Sequence, residues 1–267
     1  MIKQIKFLLI VALMFVISSA SVGAGQLEDG HIAFEMGDYA TALNKWRPLA
    51  EQGNAEAQYN LGRMYETGKG VNWDLAEAGR WYLRSATRGN AEAQYALGMM
   101  AEGGRESYGE AFRWYSISAE QGNSDAQYGL CMMYQLGKGI EENPSESVKW
   151  CRKSAEQGNA SGQGALGLMY LLGIVLPQDF AEAMKWLQMS AKQGHPVGQA
   201  GVESFHILVK QENAESQASL GRMFENGVGV AKDEKEALHL YRLSAAQKDA
   251  PDWVKDALIR LEKKLSQ

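Results

Sequence analysis

The sequence repeats itself. AEAQYNLGRMYETGKGV at 55–71 is followed by AEAQYALGMM from 91, SDAQYGLCMMYQLGKGI from 124, ASGQGALGLMYLLG from 160 and AESQASLGRMFENGVGV from 214. Ala55 to Ala91 is 36 residues, Ala91 to Ser124 is 33, and Ser124 to Ala160 and Ala160 to Pro196 are 36 each. A fixed period of this size marks a solenoid, because each unit is one supersecondary element that cannot bury its apolar surface alone.

Every unit has the same internal order: an Ala-rich stretch, a glycine punctuation (GKG at 68–70 and 137–139, GVG at 227–229), then a second stretch around Trp such as EAGRWYLRSA at 77–86. Ala57, Leu61, Met64 and Tyr65 fall on one helical stripe, and Ala55, Tyr59 and Gly62 form a second beside it. A helix apolar on two faces needs neighbours on two sides, which stacking supplies. The Gly-x-Gly link provides positive φ for a tight turn, and the Gly-Asn pairs at 53–54, 89–90, 122–123 and 158–159 end each second helix by the same chemistry. The expected fold is all-α, an α-solenoid of stacked antiparallel helical hairpins.

AEAQYxLGxMYxxGxGV followed by EAxxWYxxSAxxGN resembles the Sel1-like repeat, a relative of the tetratricopeptide repeat. The resemblance covers roughly residues 26–250. It implies a superhelical scaffold that holds other proteins, with the first helices lining its concave side, and it implies no reaction. The units are 55–90, 91–123, 124–159, 160–195 and 214–249, with a partial unit at 196–213, where PVGQAGVESFHILVKQEN runs straight into AESQ. A local change in superhelix geometry is expected there. Residues 25–54 read as a capping hairpin, with Pro48 near the end of its second helix as a candidate bend. Residues 251–267 read as an amphipathic closing helix with Trp253, Ala257, Leu258, Leu261 and Leu265 on one side. Caps of this kind keep terminal repeats soluble.

The first 24 residues are different in kind. MIKQIK is basic, FLLIVALMFVI is apolar and SSASVGAG is small, which is the pattern of a secretory signal, with a cut expected after Ala24 and Ala20 as the alternative. The 11-residue apolar run is short for a membrane span, which needs about 20. Removing this segment takes Lys3 and Lys6 with it and moves the formal charge from −5 to −7. An acidic mature chain is a poor partner for nucleic acid or anionic lipid. The expected location is the periplasm or the medium, with no membrane insertion of the mature chain.

Recognisable chemistry is missing. GQGALG at 162–167 spells a dinucleotide-binding fingerprint, but it sits inside a first helix, in register with AQYNLG at 57–62, with no strand before it. His31, His195, His206 and His239 lie too far apart for ligand spacing. There is no G-x-S-x-G elbow, Walker loop or S-x-x-K. No catalytic residue, metal or cofactor is expected. Cys131 occupies the slot of Gly62, Gly98, Gly167 and Gly221, and Cys151 the slot of Tyr82, Tyr115 and Tyr241. Across an antiparallel hairpin these slots lie level, so glycine against tyrosine is the usual contact. In an oxidising compartment a Cys131–Cys151 disulfide is expected, as a staple because no C-x-x-C is present.

The remaining face of the first helices reads Glu56, Asn60, Arg63 and Thr67 in one unit, and Glu215, Ser219, Arg222 and Asn226 in the last. Between them the strip turns apolar at Met99, Met132, Leu136, Leu168 and Leu172. These residues are the expected partner-binding floor of a groove, with Arg63 and Arg222 beyond it, and the loop Ile174–Leu176 is a second candidate. Such a groove takes a helix or an extended segment; burial of the strip by tight curvature is the competing expectation. The functional reading is an exported, non-catalytic protein-binding scaffold whose partner is a secreted effector or an envelope protein. Its narrower form is an immunity protein that neutralises an envelope-acting effector. Self-association through the groove, a surface factor contacting host protein or polysaccharide, and a cell-wall or β-lactam hydrolase stay open beside it.

Overall fold

The computed structural model describes residues 23–103, 107–210, 213–227, 230 and 232–266. Residues 1–22, with most of the expected leader, lie outside the described residues. Helix and no strand occurs among those described, and none of the helices is long and apolar enough to cross a membrane.

Side chains set the helix ends. The Oδ1 of Asn54 accepts the Ala57 N–H at 2.9 Å, and Asn90, Asn123, Asn159 and Asn213 do the same three residues before Ala93, Ala126, Gly162 and Ser216. Asp74, Asn143, Asp179 and Asp233 cap second helices likewise. Each such cap contributes about 1 kcal/mol. First helices end on a left-handed glycine, with φ 68° at Gly68, 63° at Gly137, 64° at Gly173 and 69° at Gly227. Only glycine takes that conformation without a steric cost. The unit with GIV in place of Gly-x-Gly therefore keeps the one glycine that closes the helix.

The chain divides into two compact units at Gly122 and Asn123. The first holds α1 (23–35), α2 (Tyr39–Glu51), α3 (Ala55–Thr67), α4 (Leu75–Ala86), α5 (Ala91–Gly103) and α6 (Tyr108–Glu120). The cut expected after Ala24 falls in the part of α1 described here. From α2 to α6 each helix packs on the next. Trp46, Leu61 and Met64 are fully buried, with Phe34, Leu49 and Trp81 packed on them. The α2 helix runs on through Pro48 to Glu51.

The second unit holds α7 (Ser124–Leu136), α8 (Pro144–Glu156), α9 (Ala160–Leu172), α10 (Phe180–Lys192), α11 (Pro196–Lys210), α12 (Ala214–Asn226), α13 (Glu234–Ala245) and α14 (Asp252–Leu265). The partial unit at 196–213 is the single helix α11, which packs on α9 and α10 while α12 reaches back to α10. Phe205 of α11 is fully buried among Phe180, Met184, Leu187 and Met223. α14 closes the end through Val254, Ala257 and Leu261, with Trp253 and Leu258 partly covered. Leu265 is exposed instead of buried, and Val254 takes its place on the packed side.

Two hydrogen-bond ladders tie the hairpins together. A buried second-helix serine donates to the first carbonyl of its own hairpin: Ser85 to Ala55, Ser118 to Ala91, Ser154 to Ser124, Ser190 to Ala160 and Ser244 to Ala214, all at 2.6–2.8 Å. A buried first-helix glutamine binds the preceding second helix: Gln58 donates to the Ala50 carbonyl, Gln94 to Ala86 and Gln163 to Ala155. Gln121, Gln157, Gln193 and Gln247 then donate to the side-chain oxygens of Gln94, Gln127, Gln163 and Gln217. A glutamine buried without such partners costs about 1–3 kcal/mol, so Gln58, Gln94 and Gln163 fix how their hairpins seat on the helix before.

Candidate partner-binding site

The glycine slots show how a hairpin is normally closed. A Cβ at Gly62 or Gly98 would stand 2.5 Å from the ring of Tyr82 or Tyr115, and one at Gly221 would stand 2.8 Å from Tyr241. The tyrosine hydroxyls then donate to the carboxylate one turn beyond the glycine: Tyr82 to Glu66 at 2.6 Å, Tyr115 to Glu102 at 3.0 Å and Tyr241 to Glu225 at 2.8 Å. Burial, then the neighbouring carboxylate, pushes all three phenols well above their ordinary range.

Two adjoining hairpins drop this arrangement. In α7–α8 the pair is a disulfide, Cys131 to Cys151, with both cysteines fully buried, and the carboxylate slot is Gln135. In α9–α10 the pair is Gly167 against Leu187, and the carboxylate slot is Leu171. The GQGALG glycines lie in the buried seam of α9, packed on Ser154, Ser190 and Leu187, which leaves no open loop to cradle a phosphate.

A cavity of about 250 Å³ opens over these same helices, lined by Tyr128, Met132, Gln135, Ser161, Ala165, Leu168, Met169, Leu172, Ile174, Val175 and Val197. No lining residue carries a charge. Of the floor read from sequence, Met132, Leu168 and Leu172 come together here. Leu136, one residue beyond the lining on the last turn of α7, is 53% exposed, and Met99, in the first unit, is 50% exposed. The loop candidate splits. Ile174 and Val175 join the cavity, and Leu176 packs with Ala155, Leu166 and Trp186 instead. Tyr128 and Val197 were missed: Tyr128 sits on the stripe assigned to neighbour packing, and Val197 lies beyond the break in the repeat.

The two arginines are held by aromatic rings. The Arg63 guanidinium lies 5.6 Å from the ring centre of Phe34 and 5.8 Å from that of Tyr59. That of Arg222 lies 4.9 Å from Trp253 and 3.9 Å from a carboxylate oxygen of Asp179. The polar strips beside them are more covered than their sequence suggests. Asn60 and Ser219 are buried, Asn60 with its amide 3.5 Å from His31 Nε2.

Ser161 Oγ stands 3.2 Å from His195 Nε2 at the polar edge of the cavity, the contact of a nucleophile and its base. The other ring nitrogen, Nδ1, is buried with no partner among the described residues. A base needs a third group to orient the ring and stabilise its charged form, and among the described residues none stands on Nδ1. Among the described residues no group of His, Cys, Asp and Glu is placed to hold a metal ion.

Stacked hairpins with an apolar cavity on their first-helix face define the class: an α-solenoid that acts as a protein-binding scaffold. The chain belongs to the Sel1 repeat family, whose model matches residues 55–90, 91–123, 124–159, 160–195 and 214–249. Members are generally non-catalytic protein-interaction scaffolds. A Sel1 repeat protein from Oxalobacter formigenes is similar with a TM-score of 0.59 at 27% identity, over 84% of this chain and 85% of that one. The protein c5321, a protective antigen present in uropathogenic Escherichia coli strains displaying an SLR fold, is similar with a TM-score of 0.60 at 28% identity. That match covers 93% of this chain and 62% of c5321. Immunity protein Pa5087 from Pseudomonas aeruginosa reaches a TM-score of 0.43 at 20% identity, over 78% and 74% of the two chains, too distant to carry its role across. No curated protein matches the chain.

Proposed function

We propose that this protein is an exported, non-catalytic scaffold that holds a partner protein against the first-helix face of its second unit. The observation that carries the reading is the charge-free cavity on α7 and α9, with Leu172 and Ile174 exposed at 57% and 75% in its wall and Leu136 exposed beside it. Exposed apolar surface gathered in one place marks a binding site, and methionine lets such a surface adapt. Met99 offers the same chemistry in the first unit. Arg63 and Arg222 are secondary contacts, since each must leave an aromatic ring to reach a partner. The leader-like first 24 residues and a buried disulfide both favour an oxidising compartment. The partner class is therefore a protein of the cell envelope. An effector delivered there from outside, which this chain would neutralise as its immunity protein, is one form of it.

The test is capture from envelope extract by the mature protein and by a variant carrying Met132→Asp and Leu168→Asp, each checked for helicity. A partner held by the first and lost by the second supports the site. Equal capture by both places the binding face elsewhere. If the partner is an effector, co-expression of this protein protects cells from it and the variant does not.

A further inference from the structure

The cavity has sister sites within the molecule, and comparing them indicates what it takes. Between α12 and α14 a polar hollow of about 490 Å³ is lined by Arg222, Glu225 and Asn226, with Tyr241, Trp253 and Arg260 among the residues across from them. Its charges are satisfied in place, since Arg260 Nη2 donates to both Glu225 oxygens at 2.8 and 2.9 Å. The slots of Arg222, Glu225 and Asn226 are Met132, Gln135 and Leu136 on α7. The two charged groups are exchanged for neutral ones and the amide of Asn226 for an apolar chain, and the exchange of Glu225 for Gln135 keeps the length of the side chain.

The ends of the chain also show what lies on the first of these slots. Trp253, from the closing helix, covers Arg222, and Phe34, from the opening helix, covers Arg63. In both cases an aromatic ring from a neighbouring element sits on the slot residue. At the centre the slot residue is Met132, and the neighbouring elements that line the 250 Å³ cavity with it, α9, the loop after it and α11, contribute no aromatic ring. A thioether makes favourable contacts with an aromatic ring as a guanidinium does, without needing a charge. The volume lies below the roughly 300–1,000 Å³ of sites that enclose whole small molecules and suits one large side chain.

We propose that this cavity is an anchor pocket for a single uncharged aromatic side chain of the partner, seated on Met132 as Trp253 is seated on Arg222. The proposal rests on the scaffold reading above and narrows it to the chemistry of one residue. Pockets that take one aromatic anchor and exclude water around it supply much of the affinity of many interfaces.

The experiment uses the full mature chain labelled at its methionine methyl groups and observed by NMR. The probes are the N-acetyl amides of tryptophan, phenylalanine, leucine and lysine. The aromatic amides are expected to shift the Met132 and Met169 methyl signals saturably, about tenfold more tightly than the leucine amide, with no saturable shift from the lysine amide. Leu172→Asp, at a position exposed enough to leave folding intact, is expected to abolish these shifts without moving the signal of Met36, which belongs to the first unit. A leucine amide that binds as tightly as the aromatic ones overturns the aromatic assignment. Absence of any shift, or equal shifts at Met36, overturns the pocket itself. If the pocket fails while the Met132→Asp, Leu168→Asp bait still loses its partner, the scaffold reading stands and only the anchor is lost.

Discussion

At Gly62 an added Cβ would meet the Tyr82 ring at 2.5 Å, and both residues lie in a seam with no slack. Gly62→Ala is therefore expected to destabilise the chain by about 1–3 kcal/mol, as overpacked sites do, measured as a lower urea midpoint with unchanged slope. The tyrosine on the other side makes a second prediction. The Tyr82, Tyr115 and Tyr241 phenols have an ordinary value of 10.0 and are raised above it in the folded chain, chiefly by burial. A raised value means the folded state holds the proton more tightly than the unfolded one. The associated stability is complete below about pH 10 and is lost as pH rises beyond it. Urea midpoints compared between about pH 8 and 11 should fall for the parent protein, and Tyr82→Phe should flatten that fall.

The α7–α8 hairpin replaces a ring contact with a covalent one. Closing a loop over a sequence separation of 20 contributes about 3 kcal/mol through the unfolded state, so Cys131→Ala with Cys151→Ala should lose an amount of that order in denaturant melts. The paired change Cys131→Gly with Cys151→Tyr should recover part of it by rebuilding the contact of the other hairpins. Adding Gln135→Glu, which gives the new hydroxyl its acceptor, should recover more; no recovery would mean the slots are not equivalent. The hairpins themselves were legible in the sequence because period, glycine punctuation and stripe all name the same element. The pairing of Cys131 with Cys151 was legible for a related reason, since five copies of one unit act as an internal alignment. The glutamine ladder was not. Gln58 and Gln94 look like surface residues until the carbonyls of Ala50 and Ala86 are brought over them by the preceding helix. Val197 escaped notice because the frame that locates slots ends at Pro196.

Within each unit the helices contact near neighbours along the chain, so the stability of a unit should be close to a sum of local terms. Residues 123–267 contain every residue lining the apolar cavity. Expressed alone, this unit is expected to fold as a helical protein, melt at a lower temperature than the full chain, and keep the methionine signals of the cavity. Circular dichroism and the labelled methyl spectrum would show both. The same locality gives the disulfide a role in time as well as in strength. It cross-links the one hairpin whose helix carries Met132, and its sulfurs are sealed from solvent, so it is expected to resist a reductant for as long as that hairpin stays folded. A copy lingering in a reducing compartment would carry two thiols and a looser pocket wall. Reduction of the unfolded chain before refolding is therefore expected to lower the melting temperature and to weaken capture of a partner by the cavity, which makes the redox state of the surroundings a setting of the pocket wall.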